Sequence, residues 1–218
     1  MNQGLDYAVD IVLCIDKTGS MGPVIESVKA HATKFGDDLR AKLGEKHKSV
    51  STMRVKVIAF GDIFHDKDEW LAESPFYDLT SQSGDFSSFV ATVSPKGGGD
   101  EPESGLEALA LAIKSDWTGQ GHRRRHVVVV WTDASAHRLE KRTEALGLPA
   151  TFDELKDLWD SQVIGQSSRR MVVFAPDAYP WSDIFNHFDE AVLFASAAGQ
   201  GMQEHEYGQI LDMLASSI

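Results

Sequence analysis

Val12-Leu13-Cys14-Ile15-Asp16-Lys17-Thr18-Gly19-Ser20-Met21 is an apolar run that ends abruptly in Asp-x-Thr-x-Ser. A short apolar run bounded by turn residues predicts a fully buried strand. In an open α/β sheet, the carboxyl ends of the strands open onto the ligand crevice. The stretch therefore puts one carboxylate and two hydroxyls at the rim of a sheet. Gly22-Pro23 then starts a helix, because proline suits a first turn. Carboxylate and hydroxyl oxygens are hard ligands of the kind that Mg²⁺ or Ca²⁺ accepts. Taken singly, the same residues also suit a plain helix N-cap.

Outward from this stretch, residues 8–15 are the first strand. Val24, Val28, Phe35, Leu39 and Leu43 then recur at helical spacing up to Gly44. Residues 53–60 alternate and then become continuously apolar, which predicts a second strand stopping at Gly61-Asp62. Trp70, Leu71, Phe76, Tyr77 and Leu79 predict a short edge strand with turns, and Asp85 opens a short helix. Residues 97–105, Gly-Gly-Gly-Asp-Glu-Pro-Glu-Ser-Gly, form a loop. It runs into a helix with Leu106, Leu109, Ala110, Ile113 and Trp117 as its buried stripe. Residues 126–131, His-Val-Val-Val-Val-Trp, read as a central strand, β-branched and without alternation, ending at Thr132-Asp133-Ala134. Helices are expected at 136–145 and 151–161, a strand at 171–175, a helix around 181–188 and a last strand at 191–195. A final helix carries Tyr207, Ile210, Leu211, Leu214 and Ile218. Strands alternating with helices predict a mostly parallel sheet covered on both faces. With no internal repeat and no long linker, residues 1–218 are expected to form a single domain.

The chain has 218 residues, of which 42% are hydrophobic and 25% charged, an ordinary globular balance that supports a real core. A net charge of -12 argues against a nucleic-acid surface. No apolar run approaches the roughly 20 residues needed to span a bilayer. No basic region precedes the first apolar run, so no signal peptide is expected. The single cysteine, Cys14, lies inside the first strand, where an inert buried thiol is expected. A cytoplasmic protein is the natural expectation. No Gly-x-Gly-x-x-Gly follows a strand, so a dinucleotide site has no support.

Three loops bring oxygen ligands to the carboxyl ends of strands. The first supplies Asp16, Thr18 and Ser20, the second Asp100 and the third Asp133. A hard divalent cation takes near six oxygens, several of them from water in the case of Mg²⁺. Asp62 and Asp177 also end strands on the crevice side. Asp62, Glu103 and His137 are the candidates for the rim or for support behind the ligands. The plainer readings are a surface turn for Asp62 and Asp177, and a first helical turn favoured by the dipole for Glu101 and Glu103. His65 and His137 read as rim or structural histidines. Arg123, Arg124 and Arg125 precede the central strand and so lie at the opposite end of the sheet, on a solvated face.

These motifs, taken together, resemble the von Willebrand factor type A family with its metal-ion-dependent adhesion site. The family's Asp-x-Ser-x-Ser is matched by Asp16-Lys17-Thr18-Gly19-Ser20, with Thr18 keeping the hydroxyl. Its Asp after a central apolar strand is matched by Asp133. Its usual Thr in a Gly-rich loop is replaced by Asp100. The resemblance implies a three-layer, Rossmann-like α/β fold. Its sheet would have six strands, mostly parallel, with one short edge strand antiparallel and helices on both faces. It also implies a metal site of Asp16, Thr18, Ser20, Asp100 and Asp133 holding Mg²⁺, with Mn²⁺ or Ca²⁺ as alternatives. A protein partner would complete the metal shell with an acidic side chain, and no enzyme activity is implied. The Gly-rich form resembles bacterial intracellular members, including those associated with tellurite-resistance and stress systems. An Asp in place of Thr adds a negative charge, which implies tighter ion binding and weaker recruitment of an acidic ligand.

Two other readings stay open. Asp16-Lys17-Thr18-Gly19-Ser20 also resembles the Asp-Lys-Thr-Gly-Thr signature of P-type ATPases, where the Asp is a phosphorylated nucleophile with Mg²⁺ beside it. That fold's later lysine and acidic Gly-Asp pair cannot both be placed in this chain. The third reading is a scaffold of the same fold with no metal, since one fold serves many tasks.

Overall fold

The computed structural model describes residues 7–98, 101–161, 168–200 and 206–218. Its centre is β1 (Tyr7–Asp16), which is buried along almost its whole length. It pairs in parallel with β2 (Thr52–Phe60) on one side and with β5 (Arg123–Trp131) on the other. Beyond β5 lie β6 (Arg169–Ala175) and β7 (Ala191–Ala195), both parallel. β3 (Leu71–Glu73) and β4 (Tyr77–Asp78) run antiparallel along the free edge of β2. The strand order is β3-β2-β1-β5-β6-β7, with β4 also on β2.

The expected single edge strand thus occurs as two pieces, which makes seven strands among the described residues rather than six. Pro75, between them, has no N–H to give to a ladder. Ser74 closes the gap: its N–H donates to Val57 O at 2.9 Å, and its hydroxyl accepts from Val57 N at 2.9 Å.

A strand without alternation buries both faces, and β1 does so. Val9, Ile11, Leu13 and Ile15 face one core layer, while Val12 and Cys14 face the other. The first layer is covered by α1 (Gly22–His31), α2 (Phe35–Glu45), α3 (Ser83–Thr92) and α7 (Tyr207–Ser217). The second is covered by α4 (Gly105–Ile113), α5 (Phe152–Ser161) and α6 (Trp181–His187). Cys14 is fully buried with its thiol 3.7 Å from Ala108 O, and burial pushes its pKa up, so it is an inert thiol.

The long helix expected from Gly22 to Gly44 is two helices. Between them the chain tightens into bonds three residues apart, Lys34 N to His31 O at 2.9 Å and Phe35 N to Ala32 O at 3.4 Å. Ala32 stays buried, so the apolar spacing carries across the tight turn. The helix expected at 136–145 is absent. The chain bends at Asp133 and Ala134, Ala136 makes an isolated bridge to Glu103, and a 3₁₀ helix at Lys141–Leu146 covers the second half of the expected span.

Candidate functional site

β1 and β5 are neighbours in register, with Ile15 opposite Trp131. Their next residues, Asp16 and Thr132, therefore leave the sheet side by side. Asp16 is fully buried. Its Oδ1 accepts from Thr18 N at 2.8 Å and from the Thr18 hydroxyl at 2.6 Å, and its Oδ2 accepts from the Thr132 hydroxyl at 2.7 Å. The Ser20 hydroxyl donates to Asp133 Oδ1 at 2.9 Å. Asp133 is 1% exposed. Four of the residues expected from sequence thus meet at one end of the sheet. Asp100 lies outside the described residues.

Burial pushes the Asp16 pKa up to about 6, and the nearby charge of Asp133 pushes the same way. The groups that oppose the shift are the hydroxyls of Thr18 and Thr132 and the Thr18 N–H, all of them neutral. Two carboxylates buried this close favour a neutralising cation, and the donor set is all oxygen. Among the described residues, no three His, Cys, Asp or Glu side chains form a metal-binding group. The oxygen groups gathered here are two carboxylates and hydroxyls.

Thr132 was missed from sequence. It holds Asp16 and also accepts from Ala134 N at 3.1 Å, fixing the turn that presents Asp133. The same turn is anchored from below by Trp181, whose indole N–H donates to Ala134 O at 2.9 Å. A side chain on Gly105 would meet the Trp181 ring at 2.8 Å, so the glycine that opens α4 lets that ring reach the turn.

Asp62 is also fully buried, and its partners mark it as a rim organiser. Its Oδ1 accepts from Phe64 N at 2.9 Å and pairs with His137 Nε2 at 3.1 Å, while Oδ2 pairs with His65 Nδ1. The ring of Phe64 sits edge-on to His137 at 4.6 Å. Glu103 is buried just ahead of α4; its backbone accepts from His137 N at 2.9 Å and donates to Ser135 O at 3.0 Å. Asp177 stands in an exposed turn.

Asp66 is a second residue that the sequence did not flag. Its carboxylate accepts from Asp62 N at 2.9 Å and Gly98 N at 3.2 Å, tying the loop after β2 to the Gly-rich loop. Side chains on Gly61 or Gly97 would collide with it. Gly97 and Gly98 also have φ of 92° and 72°, which glycine adopts freely.

A family model described as von Willebrand factor A domain matches residues 10–149. Over 142 residues the chain is 28% identical to a protein of Dictyostelium discoideum named Alpha-protein kinase vwkA. That match covers 65% of this chain and 21% of the relative, so the chain spans about a fifth of the relative's length. Among solved structures, the pilus adhesin SpaC of Lactobacillus rhamnosus GG in its open conformation aligns over 98% of this chain and 30% of its own. The TM-score is 0.59 at 15% identity. Proximal thread matrix protein 1 from the mussel byssus aligns over 97% of this chain and 45% of its own, with a TM-score of 0.53 at 13% identity. At these identities the solved structures speak for the fold alone. The family match spans the Asp16 motif, both crevice loops and the Asp133 turn. The chain belongs to the von Willebrand factor A domain family.

Proposed function

We propose that the chain is a metal-dependent protein-interaction module. Asp16, Thr18, Ser20 and Asp133 hold a divalent cation, with Mg²⁺ first and Mn²⁺ or Ca²⁺ as alternatives, and Asp100 tunes or completes the set. The observation that carries this reading is the buried pair Asp16 and Asp133, with Asp16 held by the neutral donors Thr18 and Thr132. The bound cation supplies a coordination position that an acidic side chain of a protein partner fills. The chain's own residues do the rest. Thr132 and Thr18 aim the Asp16 carboxylate, Ser20 aims Asp133, and Asp66 holds the Gly-rich loop beside Thr18. The rim residues Phe64, His65 and His137 offer the partner an apolar and imidazole surface around Asp62. No helix among the described residues is long and apolar enough to cross a membrane. We place the module in the cytoplasm, a setting in which the lone thiol of Cys14 is at home.

The phosphoryl-acceptor reading has less support: that fold's later lysine and acidic Gly-Asp pair cannot both be placed in this chain, and the family match is to the von Willebrand factor A domain.

The test is a thermal melt of EDTA-treated protein with and without millimolar Mg²⁺. A ligand that binds only the native state raises the melting temperature by mass action. The expected result is a rise in the wild type that vanishes in Asp16→Ala and in Asp133→Ala. An unchanged wild-type melt would leave the metal-free scaffold as the better reading. A trapped aspartyl phosphate on Asp16 would favour the phosphotransferase.

A further inference from the structure

The sheet has a second end, where β1, β5 and β6 begin. The chain carries 33 Asp and Glu against 21 Lys and Arg. Two adjoining cavities at this end nonetheless have no Asp or Glu side chain among their described linings. One, of about 450 Å³, is lined by Lys48, His122, Arg123, Arg124 and Arg125, with Tyr7 and Ile218 at its wall. The other, of about 500 Å³, surrounds the same Lys48 with Arg40 and His47.

The cations are held in place by main-chain oxygens, Ile218 O being that of the last residue of the sequence. Lys48 Nζ donates to Ala215 O at 2.9 Å, Arg125 Nε to Ile218 O at 3.1 Å and Arg124 to Gly119 O at 2.6 Å. Arg170, outside the linings, pairs with Glu190. Burial, reinforced by the charges of Arg125, Lys46 and Arg170, holds Lys48 below the usual lysine range. Burial and Arg125 likewise lower Arg170. Like charges gathered in a concave, partly desolvated surface focus a positive potential, and a negative overall charge does not erase such a local field.

We propose that this end of the sheet binds a small anion carrying more than one phosphate group. Guanidinium forks match phosphate oxygens two at a time, and three arginines in sequence open β5. Each cavity falls within the roughly 300–1,000 Å³ range of small-ligand sites. Lys48, shared by both cavities, stands where two phosphate groups of one ligand would meet. A single phosphate would engage one cavity only. The proposal is independent of the metal reading at the other end.

The experiment is calorimetric titration of tripolyphosphate into the full chain, in EDTA and at physiological ionic strength. EDTA removes divalent cations, so the ligand cannot bind through a metal. The expected result is saturable binding, at least about tenfold tighter than that of inorganic phosphate. The double variant Arg123→Ser/Arg124→Ser is expected to weaken it at least about tenfold with an unchanged melting temperature, because both side chains are exposed. Arg123→Lys/Arg124→Lys should recover part of the loss. Lys67→Asn, which removes an exposed charge beyond the other end of the sheet, should bind as the wild type does. Absence of saturable heat would overturn the proposal. So would equal binding by the wild type and the double serine variant, or an equal loss in Lys67→Asn, which would mark a diffuse charge effect.

Discussion

Asp16 and Thr132 show how one hydroxyl sets up a buried carboxylate. The Thr132 Oγ1 donates to Asp16 at 2.7 Å and accepts from Ala134 N at 3.1 Å, with all three residues buried. Thr132→Val keeps the shape and removes both bonds. It leaves a carboxylate oxygen and an amide short of a partner, which costs about 1–3 kcal/mol. Urea unfolding in EDTA should show that loss, and Thr132→Ser should stay near the wild type. The Mg²⁺-dependent rise should also shrink in the valine variant, because Asp16 loses its aim. The clustering of Asp16, Thr18, Ser20 and Asp133 was legible: an apolar run ending in Asp-x-Thr-x-Ser and another ending in Asp put these groups at one end of the sheet. Thr132 was not. Its role depends on β1 and β5 being neighbours in register, a property of strand order that no local pattern records.

At the scale of elements, strand positions followed from composition, since continuous apolar runs of this length have few other uses. The segment after Asp133 shows where periodicity fails. Residues 136–145 carry helical formers, yet Ala136 bridges to Glu103 and His137 N donates to Glu103 O, so the chain coils only from Lys141, as a 3₁₀ helix. The Gly-rich loop was legible as a place of close backbone approach, but what approaches it was not. It is Asp66, whose carboxylate reaches Gly98 from a position 32 residues away. Asp66→Ala would strip the acceptor from Asp62 N and Gly98 N together. The expected outcome is faster hydrogen exchange at those two amides and a stability loss of about 1–3 kcal/mol. The Mg²⁺ response should weaken too, since the Gly-rich loop beside Thr18 loses its bond to the segment after β2. Asp66→Asn, which keeps a carbonyl oxygen, should retain most of both.

Across the whole molecule, one row of polar residues cuts through the apolar sheet near its basic end. Arg54, Asp10, His126 and Arg169 sit in register on four adjacent strands. Asp10 takes Arg54 through two bonds, at 2.9 and 2.6 Å, and accepts from Thr118 N at 2.7 Å. Arg169 lies over the Trp159 ring and bonds Asp160 at 3.1 Å. His126 stands between these pairs, 2% exposed, with its ring stacked on Trp117 at a centroid distance of 4.9 Å. Burial lowers its pKa to about 4; Asp10 resists the shift, while Arg124 and Arg54 add to it. In the unfolded chain the same imidazole titrates near its ordinary value of about 6.5. Between those two values the unfolded state binds a proton that the folded state does not, so stability falls as pH drops. The contribution is fully present above pH 6.5, declines through the window from about 6.5 to about 4, and then levels off. One proton sets a ceiling of about 1.4 kcal/mol per pH unit on the slope. Asp16 titrates in the opposite sense: its raised pKa makes the folded state gain stability as pH falls through about 6. The two effects separate by comparing the wild type with His126→Phe, which keeps an aromatic ring against Trp117 and cannot ionise. Urea unfolding from pH 7.5 to 4.5 should give curves for the two proteins that diverge as pH falls, with the phenylalanine variant losing less. Parallel curves would mean that His126 takes its proton in the folded protein as readily as in the unfolded chain, and that the polar row opens to water there.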